Sequence, residues 1–301
     1  MPFVVAPWLL LLLCVCWGLW PALTTMADRW AWDPRYSHGC LVPLFSLGLI
    51  WSRRDKLAVA PLSPTGWGLL PIALGAALQT LGGYFHLNAI EGAALILYLL
   101  GIVLLLAGRR VLSLVLPAIA FLVFMIPLPW RIEVAMGQPL QRLATYLSVY
   151  ALQTLGFAAF SEGYVIQLNE ARIGVVDACS GLSMLMTFLA LSTAAAMVVR
   201  RPLLDKVVLV LSSIPVALIA NVGRIILTGV LHEASGKQAA DHFYHDLAGW
   251  LMIPFALFLY WLEIQALSRI LIEKAAPIPL RIGLGTMKGS KHETAAGVAG
   301  E

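Results

Sequence analysis

Apolar residues fall along this chain in eight long runs, at residues 5–23, 38–51, 62–82, 89–107, 111–128, 179–199, 207–231 and 247–268. Crossing the hydrocarbon of a bilayer takes about 20 mostly apolar residues in a helix, because no water is present to satisfy backbone N–H and C=O groups. The runs reach or approach that length, 38–51 being the shortest. The pattern predicts an all-α polytopic membrane protein with about eight transmembrane helices.

The polar and proline-containing breaks add detail. After Pro127, Pro129, Trp130 and Arg131, the stretch from Pro139 to Phe157 carries Gln138, Gln141, Arg142, Thr145 and Ser148 at helical spacing. One polar stripe on an apolar helix predicts a segment lying in the membrane interface. Residues 164–168 and 172–178 are rich in β-branched side chains around Asn169 and Glu170, predicting a short β-hairpin whose second arm runs into Cys179. Residues 276–301 are rich in Gly, Ala and Lys and predict a disordered tail, leaving 1–275 as one membrane domain. No Lys or Arg precedes the first apolar run and no clear small-x-small site follows it, so it reads as a retained span.

Hydrophobic residues make up 60% of the chain and charged residues 12%, with a mean hydropathy of +0.86, which excludes a soluble fold. The net charge of +4 is dispersed in small groups between the apolar runs rather than gathered on one face, so no nucleic acid is expected as a partner. Those groups are Arg53, Arg54 and Lys56; Arg109 and Arg110; Arg200, Arg201 and Lys206; and a tail with Arg269, Lys274, Arg281, Lys288 and Lys291. The positive-inside rule places all four in the cytoplasm. Alternating crossings then agree throughout if residues 129–178, the hairpin included, stay on the outer side. Neither the spacing of the four cysteines nor that of the histidines suggests a disulfide framework or a metal site, and no cofactor is expected.

Ionisable groups inside spans are costly and therefore candidates for function. Arg224 lies in the run 207–231, about seven residues or roughly 10 Å below its outer end. By itself it also fits an interfacial anchor, or a structural partner for Asp177 or Asp241. Cys179 opens the sixth run at the same outer face, where a helix N-terminus and Arg224 would favour a thiolate and Gly181 would admit a substrate backbone. A lone cysteine also fits a small buried apolar residue. His245, three residues after His242, opens the last run at that face. Together the three match a nucleophile, an oxyanion stabiliser and a proton shuttle for acyl transfer. His86, Glu91 and Glu133 read as solvated loop residues.

At these positions the sequence resembles the exosortase/archaeosortase family of membrane cysteine transpeptidases. The resemblance rests on Ala178-Cys179-Ser180-Gly181, on Asn221-Val222-Gly223-Arg224, on His245 followed by Gly249, and on Ile126-Pro127-Leu128-Pro129 upstream. It implies membrane-anchored protein substrates with a C-terminal sorting signal (a short motif such as Pro-Glu-Pro, an apolar helix and a basic cluster) and a lipid or polysaccharide acceptor at the cell surface. It also implies an enzyme in the cell inner membrane with its active site facing outwards. Carried over, Cys179 is the nucleophile that forms an acyl thioester, Arg224 the proton donor or oxyanion stabiliser, and His245 the proton shuttle or transition-state stabiliser. Intramembrane charge equally serves transporters, and a non-catalytic assembly scaffold would need none of the three.

Overall fold

The computed structural model describes residues 2–33, 35–168, 171–174, 181–236 and 248–270. Twelve helices and a small sheet lie within them: α1 Pro2–Gly18, α2 Trp20–Trp32, α3 Leu41–Ser52, α4 Arg54–Ala58, α5 Leu69–Phe85, α6 Asn88–Leu106, α7 Gly108–Phe121, α8 Trp130–Thr154, α9 Leu182–Val198, α10 Leu203–Leu211, α11 Ser213–Ser235 and α12 Ala248–Ile270. Three stretches, Gly66–Phe85, Asn88–Leu106 and Leu203–Ser235, are each long and apolar enough to cross a membrane. Two bent pairs qualify only when each is taken as one span, giving up to five among the described residues. The tail assigned to 276–301 lies outside those residues.

Both bends trace to proline. The run at 5–23, expected as one helix, breaks between α1 and α2 with a bend of 72°. Pro21 has no N–H to give Trp17 and its ring clashes with that carbonyl, so the helix restarts at Trp20. The Gly18 carbonyl freed there accepts from Gln79 Nε2 at 2.6 Å, and Gln79 Oε1 accepts from the Tyr98 hydroxyl at 2.7 Å. The second bend, of 79°, separates the segment Arg109–Met125 from α8 at Pro127 and Pro129. Its freed backbone groups are also taken up: the Met125 carbonyl accepts from Trp30 Nε1 at 2.9 Å, and the Leu128 N–H donates to the Tyr36 hydroxyl at 3.0 Å.

Tyr36 belongs to a buried ionic network that corrects the reading of Glu133 as a solvated loop residue. Glu133 is 4% exposed and accepts from the Tyr36 hydroxyl at 2.5 Å and from Arg35 Nη1 at 3.0 Å, with Arg29 at 3.6 Å. Arg35 also clamps Asp33 through Nε and Nη2. Burial, and then the hydrogen bond to Glu133, raise the Tyr36 hydroxyl, which keeps its proton to donate. Burial works to raise the Asp33 carboxyl, but its hydrogen bonds and charge contacts with Arg35 outweigh that and hold it below its ordinary 3.8. A carboxyl lowered on folding stabilises the fold above its unfolded pKa, so this contribution is complete above pH 3.8 and fades as the pH falls through the lower folded value.

Helices α5 and α6 pack closely because glycine recurs every seventh position on one face. A Cβ on Gly68 would sit 2.6 Å from the Gly101 carbonyl oxygen, one on Gly75 3.3 Å from that of Ala94, and one on Gly82 2.7 Å from Glu91 Cγ. Lipid is as apolar as leucine, so membrane helices associate through such close backbone approach. Leu69, Leu70, Leu74 and Leu81 of α5 point outwards and are exposed, as a lipid-facing surface requires.

The polar stripe of α8 is split rather than turned to water. Gln138 and Arg142 are exposed, whereas Gln141, Thr145 and Ser148 are buried on the side that packs on α11 and the sheet. The sheet has three antiparallel strands in the order β1 Ala159–Glu162, β2 Val165–Leu168, β3 Ala171–Gly174. Val165 pairs with Glu162 and Gly174, so β2 is central. The two-residue turn from β1 to β2 uses Gly163 at φ +65°, and Tyr164 beside it accepts through its hydroxyl from Arg142 Nε at 3.2 Å. Ile166 and Leu168 of β2 complete a core with Ala144 and Leu152 of α8 and Ile225 of α11.

Candidate active site

The site is built on α11. Asn221 and Arg224 stand three positions apart on this helix, on one face, and Arg224 Nη2 donates to Asn221 Oδ1 at 3.2 Å. Asn221 is fully buried and Arg224 half-buried. Since α11 continues to Ser235, Arg224 lies eleven residues from its C-terminal end, or roughly 16 Å. That is deeper along the helix than the apolar run alone suggested, because His232, Glu233 and Ala234 extend it past the run's polar end.

Helix α9 enters beside this pair. Its N-cap is Gly181, in the left-handed conformation at φ +77°, and a Cβ there would lie 3.3 Å from Asn221 Nδ2 and 3.7 Å from Leu140 Cβ of α8. The N–H groups of the first turn of α9, which lack intrahelical acceptors and carry partial positive charge, therefore lie near the level of Asn221, partway along α11. Gly181→Ala is expected to cost about 1–2 kcal/mol from the left-handed backbone alone, with a further cost from crowding Asn221. Thermal unfolding of the detergent-solubilised chain measures it, and an unchanged midpoint would contradict this geometry.

Cys179, two residues before Gly181, and His245, three residues before α12, lie outside the described residues, as do His242, Asp177 and Asp241. The structure thus brings the entry of α9 and the guanidinium of α11 together through Asn221, and is silent on the thiol and the imidazole. α12 packs on this group: the Tyr260 hydroxyl donates to the Phe188 carbonyl of α9 at 3.1 Å, and Ala256 and Tyr260 share a core with Ala217 and Ala220 of α11. The motif Asn221-Val222-Gly223-Arg224 by itself assigns no role to Asn221. The signal that marks it is a carboxamide one helical turn from an arginine inside an apolar run, since each is costly there without a partner.

Chemically, this corner offers hydrogen-bond donors at a helix N-terminus and a guanidinium aimed by a buried amide, in surroundings of low polarity. Such groups stabilise negative charge that develops on an oxygen or sulfur. Among protein-family models, the one described as transmembrane exosortase matches residues 30–262, a range that contains Cys179, Asn221, Arg224 and His245. No curated protein and no solved structure matches the chain significantly.

Proposed function

The chain belongs to the transmembrane exosortase family, and from that premise we propose that it is a membrane-embedded cysteine peptidase and transpeptidase acting on the C-terminal sorting signals of exported proteins. In this reading it crosses the cell inner membrane about eight times, with the site at the outer face. The Cys179 thiolate attacks the scissile carbonyl, and the positive end of α9 and Arg224 stabilise the oxyanion. The C–N bond then breaks, and the departing amine takes a proton from Arg224 or His245, leaving an acyl thioester on Cys179. A hydroxyl or amine of a lipid or polysaccharide acceptor at the cell surface attacks that thioester, the sulfur leaving as thiolate while the acceptor's proton returns to the same pair. A substrate anchored by its own helix meets the site in two dimensions, which supplies effective concentration without tight binding.

The observation that supports the reading is the close approach of Gly181 to Asn221, where a Cβ would have only 3.3 Å, and the hydrogen bond of Arg224 to Asn221, within the region that matches the family. Its test is co-expression with a tagged membrane-anchored substrate carrying a candidate sorting signal, followed by the substrate's size on a gel. Arg224→Gln is expected to slow processing by about a hundred- to thousandfold, the usual effect of removing one oxyanion donor. Processing at the normal rate by this variant would overturn the assignment of Arg224.

A further inference from the structure

A second site, remote from Arg224, opens where the turn between α5 and α6 meets the start of α8. It is a cleft of about 400 Å³, ten residues along α8 from Leu140, whose Cβ faces Gly181, or roughly 15 Å. Basic side chains reach it from three elements: Arg29 from α2, His86 from the α5–α6 turn and Arg131 from the first turn of α8. No acidic residue lines it. Arg29 has Glu133 at 3.6 Å, but Glu133 is already held more closely by Tyr36 and Arg35. Among the described residues no carboxylate lies within 4.0 Å of Arg131 or His86.

Apart from Asn88, the remaining walls are apolar. Pro127 and Pro129 stiffen the backbone that lines it, Leu87 and Ile90 line it from the α5–α6 turn and the start of α6, and the exposed Trp130 lines it as well. His86 is the one described residue other than glycine with positive φ, at 54°, a conformation that non-glycine residues adopt at some cost. The turn that carries it lies opposite Arg53, Arg54, Arg109 and Arg110, which flank the other ends of α5 and α6. The positive-inside rule therefore sets the cleft at the outer membrane surface.

We infer that this cleft holds a phosphate group, with Arg131, Arg29 and His86 donating to its oxygens. One guanidinium fork already satisfies the two oxygens of a carboxylate, whereas donors converging from three elements suit the larger oxygen shell of phosphate. The apolar walls and Trp130 suit a phosphate carried on a lipid of the outer leaflet, and free phosphate shares the same chemistry.

Native mass spectrometry of the full chain in detergent distinguishes the sources. The probes are palmitoyl-oleoyl phosphatidylglycerol, diacylglycerol with the same acyl chains, and inorganic phosphate. The expected result is retention of phosphatidylglycerol over diacylglycerol, with an apparent Kd about tenfold weaker in Arg131→Gln, the effect of losing one charged hydrogen bond. Arg110→Gln at the opposite end leaves it unchanged. Inorganic phosphate that binds alone and displaces the lipid in wild type, but not in Arg131→Gln, assigns the same site to the free anion. Binding of neither phosphate probe, or equal binding by wild type and Arg131→Gln, overturns the inference.

Discussion

Cys179→Ala is expected to abolish processing of a co-expressed substrate outright, while the protein remains folded in the membrane. The reason is chemical: the thioester needs a sulfur, and alanine has no atom that can attack a carbonyl or carry the acyl group. Cys179→Ser is expected to fail as well, because a hydroxyl is a weak nucleophile until a base removes its proton, whereas a thiol ionises near neutral pH. The substrate's size on a gel gives the readout, and an unchanged thermal midpoint of the purified variant separates lost chemistry from lost fold. A normal size shift from the alanine variant would end the covalent mechanism. Arg224→Gln would then have to be read as a change in a structural arginine.

Glu133→Ala is expected to destabilise the fold by about 3 kcal/mol, towards the lower end of the range for breaking a buried ion pair by removing one partner. The substitution strips the Tyr36 hydroxyl of its acceptor at 2.5 Å and Arg35 of one of its two carboxylates. Arg35 keeps Asp33 and is partly exposed, which moderates the loss, and the more exposed Arg29 pair at 3.6 Å adds little. Glu133→Gln keeps an acceptor for Tyr36 and is expected to fall between the two. Chemical unfolding in detergent gives the order wild type, Glu133→Gln, Glu133→Ala, and an alanine variant as stable as wild type would show the network to be structurally idle. The loss also bears on the phosphate cleft, since α8 begins three residues before Glu133 and Arg131 lies between.

The same network explains why sequence reasoning failed at Glu133. Its partners Arg35 and Tyr36 lie 98 and 97 positions earlier, and no local pattern links residues so far apart. Beside two prolines, a lone glutamate resembles any solvated loop acid until the chain bend brings α2 and α8 together. The polar stripe of α8 was legible only in part, for a related reason. Helical spacing shows that Gln141, Thr145 and Ser148 share a face, but only the packing of α11 and the sheet decides that this face is buried. By contrast, the expectation that the start of α9 and Arg224 of α11 share a level was legible from the apolar runs, and Gly181 beside Asn221 agrees with it for the described residues. What was missing was Asn221 beside Gly181, and the continuation of α11 to Ser235.

The sequence by itself determined that the chain lives in a membrane, because unbroken apolar runs have no other solvent. It also located the short motifs that carry the family resemblance. Prolines at 21, 127 and 129 were visible there too, as local limits on backbone geometry. Tertiary structure alone decided how far each helix bends, which glycines meet at α5 and α6, which polar face of α8 turns inward, and that Gly181 comes close to the amide that bonds Arg224. Those outcomes depend on contacts between residues distant in the chain, and a one-dimensional pattern of hydropathy records how costly each group is to bury without recording what it is buried against.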